Sequence, residues 1–107
     1  MSTLIIHPQD PSTKFLEKIY SSLSGKIIIT GGITKEQVRD LIQSHERVMM
    51  LGHGSPSGLF SVGCFFETNG YIIDHSMVEV LKRKRDNVFV WCNADEFVNK
   101  YQLKGFY

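Results

Sequence analysis

The chain has little cysteine: Cys64 and Cys92 are its two, in 107 residues. Two cysteines make no disulfide framework, so each is expected to be a free thiol in a reducing compartment. Surplus charge is equally scarce. Twelve Lys and Arg against eleven Asp and Glu leave a formal net charge of +1, a field too weak to recruit nucleic acid or an anionic membrane. The cluster Lys82-Arg83-Lys84-Arg85 is expected to be the solvated end of a helix, where cations suit the macrodipole. Long apolar runs are missing as well. MSTLIIHPQD holds three consecutive aliphatic residues and no basic leader, so neither a signal peptide nor a membrane span is expected there. The expected location is cytoplasmic. The dinucleotide pattern G-x-G-x-x-G is absent, which leaves Gly31-Gly32 as a turn. His53, His75, Cys64 and Cys92 match no zinc spacing, and no cofactor is expected. With no repeat, linker or low-complexity tract, residues 1–107 are expected to form a single domain.

What is present reads as alternating strands and helices. Leu4-Ile5-Ile6, closed by His7-Pro8, predicts a first buried strand. Pro11-Ser12 opens a helix whose apolar stripe is Phe15, Leu16, Ile19, Tyr20 and Leu23, stopped by Gly25. Lys26 to Thr30 is the second strand. Thr34 with Gln37 is a capping box for a second helix facing inward through Val38, Leu41 and Ile42, with His45 near its end. Arg47 to Leu51 is the third strand. Leu59 to Phe66 and Tyr71 to Ile73, separated by Thr68-Asn69-Gly70, predict a hairpin that carries Cys64. Asp74 or Ser76, the latter with Glu79 in capping-box spacing, starts a third helix with Met77, Val78, Val80 and Leu81 inward. Val88 to Trp91 is the fourth strand, and Phe97, Val98 and Tyr101 mark a last helix capped by Asp95. A strand–helix order this compact implies a mostly parallel sheet of about four core strands with right-handed crossovers.

Two stretches carry chemistry. RVMMLGHGSPSGL ends its apolar run at His53-Gly54, and VFVWCNAD ends its run at Cys92. Runs without alternation fit strands buried on both faces of a parallel sheet. Both would then deliver their polar residue to the carboxyl edge, where such folds bind ligands. A thiol and an imidazole facing each other there make a nucleophile and its base. Gly54 lets its N–H approach a developing oxyanion, and the Cys92 N–H is the natural second donor. Asp95, three residues beyond the thiol, is a candidate for selecting a basic substrate side chain. Cys64 is read as a packing residue.

The order of strand, His53-Gly54, hairpin with Thr68-Asn69-Gly70, helix, strand and Cys92 resembles the caspase-like superfamily of cysteine peptidases. VMMLG before His53-Gly54, VFVW before Cys92, and Ala94 as the small residue after it carry the resemblance. It implies a three-layer caspase-like (flavodoxin-like) fold and hydrolysis of peptide bonds through a Cys92/His53 dyad and an acyl-enzyme, with a peptide or protein as substrate. The sheet of that superfamily is commonly larger than four strands. The edge beside the fourth strand is therefore expected to be covered by a second copy or by a further segment or partner. The alternative reading is a catalytically inactive caspase-like or flavodoxin-like interaction module.

Overall fold

A computed structural model describes residues 2–107. Among them, five strands form one parallel sheet: β1 (Thr3–Ile6), β2 (Lys26–Ile29), β3 (Arg47–Leu51), β7 (Asn87–Val90) and β8 (Gly105–Phe106), in the order β2-β1-β3-β7-β8. Three short strands, β4 (Gly54–Ser55), β5 (Gly58–Phe60) and β6 (Tyr71–Ile73), make a separate antiparallel sheet inserted after β3. The helices are α1 (Lys35–Ser44), α2 (Val78–Lys82) and α3 (Ala94–Tyr101), with 3-10 turns at Pro11–Ile19 and His75–Met77.

Strand alternation divides the core in two. Leu4, Ile6, Val48, Met50 and Phe89 face one side, with Val38 and Ile42 of α1, Val80 and Leu81 of α2, and Phe97 and Val98 of α3. Ile5, Met49, Leu51 and Val88 face the other, covered by Tyr20 with Leu16 and Leu23. Both faces of β1 and β3 are thus buried, which is why their sequences run apolar without alternation.

The capping box of α1 forms as its spacing predicts: Gln37 N–H donates to the Thr34 hydroxyl, and Thr34 N–H to the Gln37 side chain. His45 caps the other end, its Nδ1 bonding the Leu41 carbonyl at 2.7 Å. Of the basic cluster, Lys82, Arg83 and Arg85 are exposed, while Lys84 donates to the His45 carbonyl. Burial lowers the Lys84 pKa.

Several expectations are corrected. The first helix is a 3-10 helix ending at Ile19, closed by an i→i+3 bond from Tyr20 N–H to Glu17 O. A period of three turns Thr13 and Leu16 toward the sheet and leaves Phe15 67% exposed. Gly25, five residues past the Tyr20 cap, turns the chain into β2 instead of stopping the helix. The hairpin is also rearranged. Its tight turn is at Pro56-Ser57 between β4 and β5, while Asn69-Gly70 closes the longer loop 61–70 between β5 and β6. Cys64 therefore lies in a loop, not on a strand. Asp74, not Ser76, is the cap, and it caps the 3-10 turn, accepting from the Ser76 N–H and hydroxyl. It also pairs with Lys35 at 2.6 Å. Burial acts to raise the Asp74 pKa, but Lys35 and Ser76 outweigh it and hold the carboxyl below its ordinary value.

The sheet has five strands, not four. The edge of β7 is covered by the chain's own β8, which approaches so closely that a Cβ on Gly105 would lie 2.0 Å from the Asn87 carbonyl oxygen. The opposite outer strand, β2, leaves Ile27 and Ile28 48% and 42% exposed.

His7 fastens the 3-10 helix to the end of β1. Its Nε2–H donates to the Thr13 carbonyl at 3.1 Å, which leaves Nδ1 to accept from the Tyr20 hydroxyl at 2.7 Å. Burial lowers the His7 pKa from 6.5, outweighing the Thr13 bond and Glu17, which favour the charged ring. The folded state thus resists a proton that the unfolded chain accepts. Stability from this site is complete above the unfolded value and is lost as pH falls from about 6.5 toward the lower folded value. The melting temperature is expected to fall as pH drops from 7.5 to 5.5, and His7→Gln to show a shallower fall over the same range.

Candidate functional site

In the order β2-β1-β3-β7-β8 the connections leaving β1 and β3 depart to opposite faces: the first becomes the 3-10 helix, the second the hairpin and α2. A crevice opens where such connections part, and open α/β sheets bind ligands there, beyond the carboxyl ends of the strands. At this point lie the loop 7–10 after β1, with the first residues of the 3-10 helix, and Gly52-His53 after β3.

His53 reaches the site because β3 is in register with both neighbours: Ile6 pairs with Met50, and Leu51 with Val90. Gly52 N–H extends the ladder to the Val90 carbonyl at 3.0 Å. Val90 stands two residues before Cys92, as Leu51 does before His53, so imidazole and thiol leave neighbouring strands at the same edge. Both residues are exposed. Trp91, between β7 and Cys92, turns its ring inward, stacks edge-on against Phe89 and Phe97, and donates Nε1–H to the Ser55 carbonyl at 2.9 Å. Alternation then puts Cys92 outward. Asn93 adopts the left-handed conformation (φ 64°) and begins α3 without a side-chain cap. Among the described residues, neither the Cys92 nor the Asn93 N–H outside α3 donates to another backbone group.

His53 does not bond the thiol. Its Nε2 lies 2.6 Å from the Ser12 hydroxyl and 3.4 Å from Asp10 Oδ2. Asp10 Oδ1 accepts from the Ser12 N–H at 2.9 Å and from its hydroxyl at 2.8 Å. The Ser12 N–H, then its hydroxyl, hold the Asp10 carboxyl below its ordinary range against burial, and the His53 ring adds to the effect. Sequence reading passed over Asp10 and Ser12, treating the stretch as the start of a helix. The available signal was position: both follow β1, the neighbour of the histidine strand. Asp10 also lines a cleft of about 440 Å³ at the carboxyl ends of β1 and β2, with His7, Gln9, Lys14, Glu17 and Thr30.

Gly54 lies in β4 opposite Leu59. A Cβ there would come 2.3 Å from Trp91 Cδ1 and 2.5 Å from the Gly58 carbonyl oxygen, so glycine is required to seat the indole. Asp95 is exposed in the first turn of α3 and is not its cap, because Asn93 occupies that position. There its charge suits the positive end of the helix. Cys64 is tied elsewhere: its Sγ lies 3.2 Å from the Gln9 carbonyl oxygen, and its own carbonyl accepts from Gly32 N–H at 2.8 Å. Asp74-His75 stands apart, engaged with Lys35 and Ser76.

Among the described residues no three His, Cys, Asp or Glu side chains are grouped to hold a metal ion, and no helix is long and apolar enough to cross a membrane. No family model, curated protein or solved structure matches the chain.

Proposed function

We propose that this domain is a cysteine hydrolase acting on peptide bonds, with Cys92 as nucleophile and His53 as its base, on a caspase-like variant of the flavodoxin-like sheet order. The observation that supports it best is the placing of an exposed thiol and an exposed imidazole at the ends of two register-paired parallel strands. In the first half-reaction the Cys92 thiol gives its proton to His53 and its sulfur adds to the carbonyl carbon. The imidazolium returns that proton to the leaving amine as the C–N bond breaks, and an acyl-enzyme remains. Water then loses a proton to His53 and attacks the thioester; the sulfur departs and takes the proton back. The Cys92 N–H, with Gly54, faces the oxygen that becomes negative. Asp95 stays a candidate contact for a basic side chain of the substrate.

The test compares the two cysteines. With iodoacetamide at neutral pH, Cys92 is expected to alkylate at least tenfold faster than Cys64, and His53→Ala to remove most of that advantage. Equal rates for the two thiols, or a Cys92 rate untouched by His53→Ala, would overturn the reading.

One observation favours a second reading, an interaction module without catalysis. Ile28 on the outer strand β2 pairs with Ile5, on the sheet face that the 3-10 helix covers, and Ile28, Phe15 and Ile19 are large apolar side chains left exposed; such groups mark contact surfaces when they cluster. Slow alkylation of Cys92 would move the weight to this reading.

A further inference from the structure

The hydrogen bonds around His53 decide which of its nitrogens is free, and no residue in that decision belongs to the dyad. A neutral imidazole carries one proton, and its partners fix which nitrogen holds it. Here Nε2 faces two oxygens, Ser12 Oγ at 2.6 Å and Asp10 Oδ2 at 3.4 Å. An ionised carboxylate accepts and cannot donate. The Ser12 hydroxyl has a single proton, and the ionised carboxylate oxygen Asp10 Oδ1, 2.8 Å away, is its stronger acceptor; given to Asp10, that proton leaves a lone pair toward His53. A bare Nε2 would set its own lone pair against both oxygens, whereas an Nε2–H satisfies them. Resting on the reading of His53 as the base for Cys92, we propose that Asp10 and Ser12 are positioning residues. They keep the proton of neutral His53 on Nε2 and so present Nδ1 to the thiol. Ser12, although within reach of an imidazole and a carboxylate, is not a nucleophile here: its proton goes to Asp10, and the nitrogen beside it is already protonated.

The arrangement follows from topology. β1 and β3 are neighbours, so the loop after β1 lies beside the loop after β3. Asp10 serves two ends at once, since the oxygen that caps the 3-10 helix at Ser12 leaves the second oxygen of the same carboxylate for His53. That economy supplies a mild test variant. Asparagine is as good a helix cap as aspartate, so Asp10→Asn keeps the 3-10 helix while removing the charge and one acceptor.

The experiment is a long-range ¹⁵N–¹H correlation spectrum of the full chain, ¹⁵N-labelled at histidine, at a pH where the rings are neutral. Two other histidines calibrate it. His7 bonds a carbonyl through Nε2 and His45 bonds a carbonyl through Nδ1, so they report opposite tautomers. His53 is expected to match His7, with the proton on Nε2. Asp10→Asn is expected to reduce that form to a mixture or to reverse it, and to slow Cys92 alkylation by iodoacetamide at least threefold. Ser12→Ala, which keeps the carboxylate, is expected to weaken the preference less. A His53 that matches His45, or an Nε2–H form unchanged in Asp10→Asn, would overturn the positioning role. Failure of the hydrolase reading has a different signature. In that case His53→Ala leaves the Cys92 rate unchanged while the His53 tautomer still depends on Asp10, and the pair then has no thiol to serve.

Discussion

Cys92→Ala is expected to reduce hydrolysis of a pooled fluorogenic peptide-amide library to background, because Cys92 is the thiol that leaves the strand paired in register with that of His53. Alanine keeps a small apolar residue at an exposed position, so the melting temperature should move little. His53→Ala removes both the acceptor of the thiol proton and the donor to the leaving amine, a loss of about 10²–10⁴-fold in kcat/KM. Cys64→Ala supplies the contrast. Its sulfur lies against the Gln9 carbonyl, in the loop after β1, and turnover is expected to stay within about twofold, in keeping with a substitution outside the reacting groups. Activity that survived Cys92→Ala and vanished in Cys64→Ala would reverse the assignment.

Gly58→Ala is expected to give the largest loss of stability of any single methyl addition to the hairpin. Gly58 has φ 143°, and a Cβ there would lie 1.9 Å from the Ile73 carbonyl oxygen. Two penalties coincide: a backbone conformation that side chains avoid, and a clash with main chain that cannot rotate away. β5 would have to separate from β6, opening the layer formed by Leu59, Ile72 and Ile73 over the core. A cost of roughly 3 kcal/mol or more follows from strain and overpacking together. In a domain of this size that is a fall in melting temperature on the order of 15 °C. Thermal unfolding followed by circular dichroism checks it, and a shift under about 3 °C would mean that the hairpin accommodates the methyl cheaply.

The sequence was legible where one local rule decides the outcome. Apolar runs without alternation located β1, β3 and β7, because burial on both sheet faces leaves no reason for a polar position within them. Thr34 and Gln37 located the start of α1, since that bond pattern is closed within one turn. Asn93 shows where local rules stop: Asn93 and Asp95 are equally good caps by residue type, and the left-handed turn out of β7 is what placed Asn93 at the helix start. β8 escaped notice because two residues, Gly105 and Phe106, show no periodicity, and their pairing depends on β7 lying beside them. Asp10 and Ser12 were missed for a related reason. Their partner is 41 or more residues away, joined only by the adjacency of β1 and β3. His53 and Cys92, in contrast, stand directly after apolar runs, where parallel strands release side chains at one edge.

The single tryptophan also gives the molecule an optical reporter. Trp91 is held by a hydrogen bond to Ser55 in β4 and by the rings of Phe89 and Phe97, so its indole spans the junction between the inserted hairpin and the main sheet. Emission from this one fluorophore therefore reads hairpin seating separately from global unfolding: a dry, stacked indole while β4 is docked, a hydrated one when β4 lifts away with the parallel strands still paired. The ring sits immediately before Cys92, so the same signal registers disturbance at the edge where the thiol emerges, without a label and without a substrate.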